Sequence, residues 1–521
     1  MRHMNNQKRT NHLVTAVIIL QIILLMALTW KFGMQRLDGD DTAEMVLANL
    51  VAKEGGILSR NWYYSTELRV LNNQVVMSLL FRIFDDWHVV RTFGTGILVS
   101  ILVLSWLFLC QQIPEREQLR KWSPVVLLPF SYVYYDIVLY GLYYIPHISL
   151  IFFSLGLLLT PKEKHSLLTA VCLAAAAFAA GLGGIRLPAV GYAPMLAAIL
   201  YVCRTRREYR HVCLRGVLVC AAAGAGYLIN MLVLSRRYSY ATHGDVRLSL
   251  PDLHKAFTVL KNTVQVCGAA RPGLSVKGIG GIAGLLLFAG IVCMFAVVVK
   301  ERRRVSDELR IVILTFTVSW FVTAFAGVCT TTGWANRYAM IPCMGLIPVL
   351  AEGTSLLKDT LRKSASIILA GLLMVCGTVY VYRFTAEDKL KDVRPAYDYI
   401  LGSGMTFGYS TWEVGDVLTE VSDGRIHMCK IQNYAHLGRW NWLMEKDYMK
   451  YTEDGPVFLL LDKARMNYTD YSTGHFFGEW TEDDLTWMKQ AHIGFEDDNY
   501  IVWTFASEAE FEKITGSVPH E

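Results

Sequence analysis

What this 521-residue chain has little of sorts it first. Only 18% of its residues are charged, and the formal net charge is a modest +5. The bases do not gather in one patch. They stand in short clusters between apolar runs, which excludes a nucleic-acid surface and points to membrane topology. Eleven cysteines are scattered, mostly inside apolar runs, where they act as small hydrophobes. No CxxC or Cys/His spacing suggests zinc. Cys267 and Cys429 are the cysteines expected outside the membrane, and they are too far apart in sequence to read as a disulfide framework. The first apolar run lacks a small-residue cleavage site and many more follow, so an uncleaved anchor is expected. There is no internal repeat, phosphate loop or nucleophile elbow.

What is present is apolar sequence. Hydrophobic residues make up 53% of the chain, and the mean hydropathy is +0.32. No soluble domain of this length hides so much in one core. About 20 apolar residues cross a bilayer, and about eleven runs approach that length: 13–32, 89–110, 125–140, 148–159, 167–182, 187–202, 212–234, 279–299, 311–328, 338–350 and 366–382. The basic clusters Lys162 to His165, Arg204 to Arg210, Lys300 to Arg304 and Lys358 to Lys363 all fall on one side of this pattern, with the N-terminus. By the positive-inside rule that side is cytoplasmic and the C-terminus is extracytoplasmic.

Two long loops, 33–88 and 235–277, lie on the opposite side. In the first, Trp62 to Tyr64 and Val75 to Phe84 are expected as interfacial helices; in the second, Leu248 to Val266 is expected as an amphipathic helix. From residue 384 the composition changes. The last 138 residues carry 25 acids and 12 bases. Val457 to Leu461 and Met405 to Tyr409 read as strands, and Ala396 to Leu401 and Thr481 to Lys489 as helices. The expectation is a multi-pass α-helical membrane domain, 1–383, followed by an extracytoplasmic α/β domain, 384–521.

The chemistry concentrates in Gln35 to Gly55, directly after the first apolar run. Asp38, Asp40, Asp41 and Glu44 crowd into seven residues. Met45, Val46, Leu50 and Val51 then supply the apolar rows of a helix expected to lie on the membrane surface. Clustered carboxylates repel one another unless a cation, a base function or a helix N-terminus uses them. Asp41 and Glu44 fit a capping box, with Asp41 as N-cap, which leaves Asp38 and Asp40 unexplained.

The stretch from Asp40 to Ala48, with Gly55 seven residues on, resembles the first extracytoplasmic loop of GT-C membrane glycosyltransferases. Protein O-mannosyltransferases and lipid A aminoarabinose transferases are members. Asp41 stands where those enzymes carry Glu, and Glu44 where they carry an aromatic. Arg337 and Tyr338, with Pro342 following, resemble the Arg-Tyr then Pro pattern of a late GT-C span, where an arginine faces the phosphate of the lipid carrier. The resemblance implies sugar transfer from a polyprenyl-phosphate-linked donor to an extracytoplasmic glycan, lipid or protein. It also implies Asp40 as general base, with Asp41 second, and Arg337 on the carrier phosphate. As some members require a metal, Asp38 and Asp40 are candidate ligands of a divalent cation such as Mg or Mn.

Other polar residues fall near the same face: Arg60, Arg69, His88, Arg91, Asp136, His147, Arg186 and Arg271. An arginine there either meets a phosphate with its planar fork or snorkels to lipid headgroups. Asp136 lies within an apolar run, His147 follows Pro146, and Arg186 sits on a Gly-Gly turn, so these three join Asp38 and Glu44 as candidate substrate contacts. A transporter or flippase without bond chemistry is the alternative. It predicts inverted repeats and broken spans near mid-membrane.

Overall fold

A computed structural model describes residues 2–66, 68, 70–161, 166–240, 247–268, 278–331, 333–431, 437–450, 455–463 and 486–517. Arg69, Arg271, the basic cluster 162–165 and the first part of the expected helix 481–489 lie outside the described residues.

The first apolar run forms α1 (Arg2–Phe32). The acidic stretch forms α2 (Gly39–Glu54). Then come β1 (Trp62–Tyr64), α3 (Asn73–Phe81), α4 (Trp87–Gln111) and α5 (Arg116–Lys121). After a 3-10 turn, α6 (Tyr132–Tyr140) and α7 (Ile145–Leu158) meet at an 87° bend. The bundle continues through α8 (Leu167–Leu182), α9 (Ala193–Thr205), α10 (Arg210–Leu232), β2 (Ser239–Tyr240) and α11 (Leu253–Val266). It closes with α12 (Ile279–Lys300), α13 (Asp307–Cys329), α14 (Leu346–Ser355) and α15 (Asp359–Ala386).

Six of these helices are long and apolar enough to cross a membrane, or up to seven if the bent α6–α7 pair is one span. Four of the expected runs take another form. Run 125–140 is a 3-10 turn followed by α6, whose second part is π-helical. Run 187–202 opens with a π turn before α9, and run 338–350 is mostly 3-10 turns before α14. Pro124, Pro188 and Pro342 stand at the starts of these irregular stretches, where a missing N–H breaks the α-helical ladder. Run 167–182 forms α8 and is a shorter apolar helix.

The C-terminal region is an α/β layer. It comprises α16 (Arg394–Ser403), β3 (Phe407–Ser410), α17 (Trp412–Val421), β4 (His427–Lys430), β5 (Met444–Glu445), β6 (Val457–Asp462), β7 (His492–Glu496), β8 (Tyr500–Phe505) and α18 (Glu508–Thr515). Five strands form one sheet in the order β4-β3-β6-β8-β7, parallel from β4 to β6 and antiparallel beyond. Side chains alternate across a strand. Val457, Leu459 and Leu461 accordingly enter a core with Tyr409, Trp503 and Phe511, while Phe458 and Leu460 enter one with Ile400, Leu418 and Val502. Leu37, just before α2, is buried in the second of these cores.

Two expectations about the first loop are corrected here. Trp62 to Tyr64 is a strand, not an interfacial helix. It pairs in parallel with β2 of the second loop and antiparallel with β5 of the C-terminal layer. Three aromatics in a row favour a pleated surface once edge partners exist. The second correction concerns α2, which does not lie on an open surface. Met45, Val46, Leu47, Ala48, Leu50 and Val51 are all buried, and a Cβ on Gly39 would sit 2.3 Å from Trp412 of α17. The helix is roofed by the C-terminal layer.

Candidate active site

Local sequence decides how α2 begins. Asp38 has extended backbone, and its carboxylate accepts the Asp41 N–H at 3.1 Å, so Asp38 is the N-cap. This corrects the capping box expected on Asp41 and Glu44: Asp41 is in the first turn. Both Asp40 and Asp41 stand where the helix N-terminus favours negative charge. Gly55 ends the helix at φ 78, a left-handed C-cap that suits glycine.

Consecutive helical residues point about 100° apart, so the paired acids have separate surroundings. The Asp40 side chain is 44% exposed, and its Oδ2 lies 3.8 Å from Nη1 of Arg337. Asp41 is 5% exposed. Its Oδ1 packs against Gly141, where an added Cβ would approach it to 2.7 Å. Burial, and then the charge of Asp38, push the Asp41 carboxyl well above the usual carboxylate range, against the pull of Arg91 and Lys389.

Around Asp40 a cationic and aromatic cluster assembles. The Arg337 guanidinium lies 5.8 Å from the Tyr338 ring centroid, and the Arg186 guanidinium lies 5.2 Å from the same centroid. Arg186 also donates to the Tyr144 hydroxyl at 2.9 Å. His147 packs its ring 5.7 Å from that of Tyr144 and donates from Nδ1 to the Tyr143 carbonyl at 3.2 Å, the preceding turn of the same segment. Glu44 is one helical turn from Asp40 on the same face of α2.

A second group lies beside the first. Lys389 donates to Asp38 Oδ2 at 2.9 Å. Arg36, fully buried, meets Asp136 at 3.6 Å and Glu387 at 2.5 Å. Burial disfavours the charge on Lys389, but Asp38, Asp136 and Asp41 more than offset it and raise its pKa. Behind α2, Arg91 binds both carboxylate oxygens of Glu420, at 2.6 and 2.7 Å, and donates to the Asp41 carbonyl at 3.2 Å. His88, another candidate, stacks on Trp30 at 4.2 Å.

The structure therefore brings Asp40, Arg337, Arg186 and His147 together and puts Asp38 and Asp136 in the neighbouring network. Asp41 is behind them. Lys389, Glu420 and Tyr144 were not singled out in the sequence. Lys389 is 351 residues from Asp38, and Glu420 is 329 from Arg91, so no local spacing announces either contact. Tyr144 had a signal: the Tyr143-Tyr144 pair on the turn before Pro146.

The divalent cation expected on Asp38 and Asp40 finds no ready donor set. Among the described residues no group of three or more His, Cys, Asp or Glu is arranged to hold a metal ion. Lys389 faces Asp38 and Arg337 faces Asp40, so protein cations meet both carboxylates.

No family model matches the chain, and no curated protein matches it in sequence. Solved structures do match. ArnT from Cupriavidus metallidurans bound to undecaprenyl phosphate aligns over 94% of this chain and 98% of its own, with 10% identity and a TM-score of 0.58. The apo form of that protein aligns over the same shares at 0.53. The chain shares the overall fold of that ArnT structure. Oligosaccharyltransferase from Archaeoglobus fulgidus in complex with Zn and sulfate aligns over 78% of this chain and 61% of its own, with 12% identity and a TM-score of 0.46, too low to bear on the site.

Proposed function

We propose that the chain is an integral membrane glycosyltransferase that moves a sugar from a polyprenyl-phosphate-linked donor to an acceptor on the side of the membrane where α2 lies. The observation that carries this reading is the half-exposed Asp40 carboxylate facing Arg337, with Arg186 beside the same Tyr338 ring. The shared fold supports it, as does the lipid phosphate bound by the structurally similar ArnT.

Transfer needs a base and an anion site on one face. The acceptor oxygen attacks the anomeric carbon while its proton passes to Asp40. The bond from that carbon to the carrier phosphate breaks, and its electron pair leaves on the phosphate oxygen. Arg337 and Arg186 meet the growing charge, each able to offer a planar fork. Asp41 is a poorer base because it is nearly inaccessible. Asp38 and Asp136 hold Lys389 and Arg36 beside the Asp40 cluster, and His147 orients Tyr144 and the turn that carries it. Glu44, one turn along α2, flanks the acceptor.

The shorter and irregular helices complete a bundle of about eleven crossings, with the basic turns and N-terminus cytoplasmic. The chain then divides near residue 384 into membrane and extracytoplasmic domains, the second roofing α2. The test is purified protein in a bilayer with a panel of polyprenyl-phosphate sugars. Sugar should appear on acceptor with release of the lipid phosphate. Movement of intact donor between leaflets without cleavage would replace the proposal with a flippase.

A further inference from the structure

We infer that the end of the bundle remote from α2 holds a binding groove for an anionic phospholipid, formed by α1, α15 and the segment from α5 to Leu128. It is independent of the sugar-transfer reading. α15 has 28 residues, about 42 Å at 1.5 Å per residue, and its C-terminal end adjoins Lys389, Asp38 and Arg36. Its N-terminal end is thus about one bilayer away from the Asp40 cluster. There a cavity of about 560 Å³ opens between α15 and α1.

The groove has the polarity of a phospholipid. Lys121, Arg362 and Lys363 line it together with the Trp122 indole. Arg362 is the first-turn cation of α15, and its guanidinium is 2.6 Å from Asp359. The rest of the lining is largely aliphatic and extends along α15 to Leu373 and Met374. From Arg362 to Met374 is about 18 Å of helix, close to the depth of one leaflet's hydrocarbon. Ile367 and Met374 are 72% and 58% exposed, so the groove opens sideways, where acyl chains lie. Gln21 also lines it. Its Nε2 donates to the Pro124 carbonyl at 3.0 Å, while its buried Oε1 has no hydrogen-bond partner among the described residues. A headgroup hydroxyl would supply that donor.

Charge complementarity selects the occupant. Three cations at one end of an apolar trough suit a phosphate joined to a chain; basic pockets between membrane helices bind such headgroups. A lipid of zero net charge, its phosphate balanced by its own ammonium, leaves the charge of Lys121 and Lys363 uncompensated, and free phosphate leaves the trough unfilled.

The experiment measures lipids retained by the full-length protein in native mass spectrometry, with phosphatidylglycerol, phosphatidylcholine and inorganic phosphate as probes. Wild type should retain phosphatidylglycerol over phosphatidylcholine. Each neutralisation among Lys121→Gln, Arg362→Gln and Lys363→Gln should weaken phosphatidylglycerol by about fivefold. Ala370→Trp, which fills the trough and keeps every charge, should weaken it too; this second variant serves if the charge variants fail to fold. The control is Lys300→Gln with Arg303→Gln, on a basic turn outside the groove, and should leave the preference intact. The inference is overturned by equal retention of the two lipids or by loss in the control matching loss in the groove variants. Displacement of phosphatidylglycerol by inorganic phosphate alone would overturn it as well, by showing a free-anion site.

Discussion

Arg91 with Glu420 and Arg337 with Asp40 are both arginine–carboxylate contacts beside the first turn of α2, yet they differ in every physical respect. The first is bidentate, with both side chains almost fully buried. The second spans 3.8 Å, with both side chains nearly half exposed. A dry fork is a fastener. It holds α4 to α17 and, through the Asp41 carbonyl, to α2. A loose, wet contact contributes little to stability, and each partner can turn to a substrate. The same contrast separates Lys430–Asp416, buried at 2.6 Å, from the part-exposed Lys389–Asp38. Burial lifts the Asp416 carboxyl to about 6 despite the lysine beside it. The contrast teaches that ion pairing by itself does not mark a site; access to solvent is what separates these pairs.

The contrast can be sharpened most strongly at Asp40. Asp40→Asn keeps the shape and removes the proton acceptor, so turnover should fall by about 10² to 10⁴ with unchanged melting. Full activity in purified Asp40→Asn would end its role as base. Next in size is the fastener. Glu420→Ala leaves the buried Arg91 unpaired and should cost about 3–5 kcal/mol of stability, measured by denaturation in detergent. Arg91→Met with Glu420→Leu should recover much of that loss, since an apolar pair can replace a buried ion pair. If Glu420→Ala melts like wild type, the fastener reading fails.

Arg337→Ala comes third. It should remove about 1.5–3 kcal/mol of donor binding, read from a donor titration, while leaving stability nearly untouched. Arg337→Lys should restore only part, because it offers no fork. The smallest effect is expected at Asp41. Its folded pKa is raised above the unfolded one, so its contribution to stability is complete below about pH 4 and is lost as pH rises through the raised value. Asp41→Asn removes that slope. The stability difference, wild type minus variant, should be within about 1 kcal/mol of zero near pH 4, where Asn matches the protonated acid, and should turn negative as pH rises. A difference that turns positive with rising pH would show that the carboxylate, not the acid, is the form held in place.

Several features were readable before any coordinates. Long apolar runs such as 87–111 and 279–300 fold as helices because an apolar segment must satisfy its own backbone bonds. The run 457–461 reads as a strand and lies in the centre of the sheet. The acidic stretch is the start of a helix, as its composition suggested. These are properties of local chemistry, where neighbours in sequence are neighbours in space.

Other features came only from the folded chain. The cap belongs to Asp38 rather than Asp41, because the chain entering α2 turns where Leu37 is pulled into the core of the C-terminal layer. Trp62 to Tyr64 became a strand because β2 and β5 offered it two edges from remote segments. Of two adjacent aspartates, one is buried against Gly141 and the other is left half open. Composition placed the acids at one loop and set net charges of about +18 before residue 384 and −13 after it. Which acid keeps its charge and its access is a matter of burial, and burial is settled by contacts between residues hundreds of positions apart.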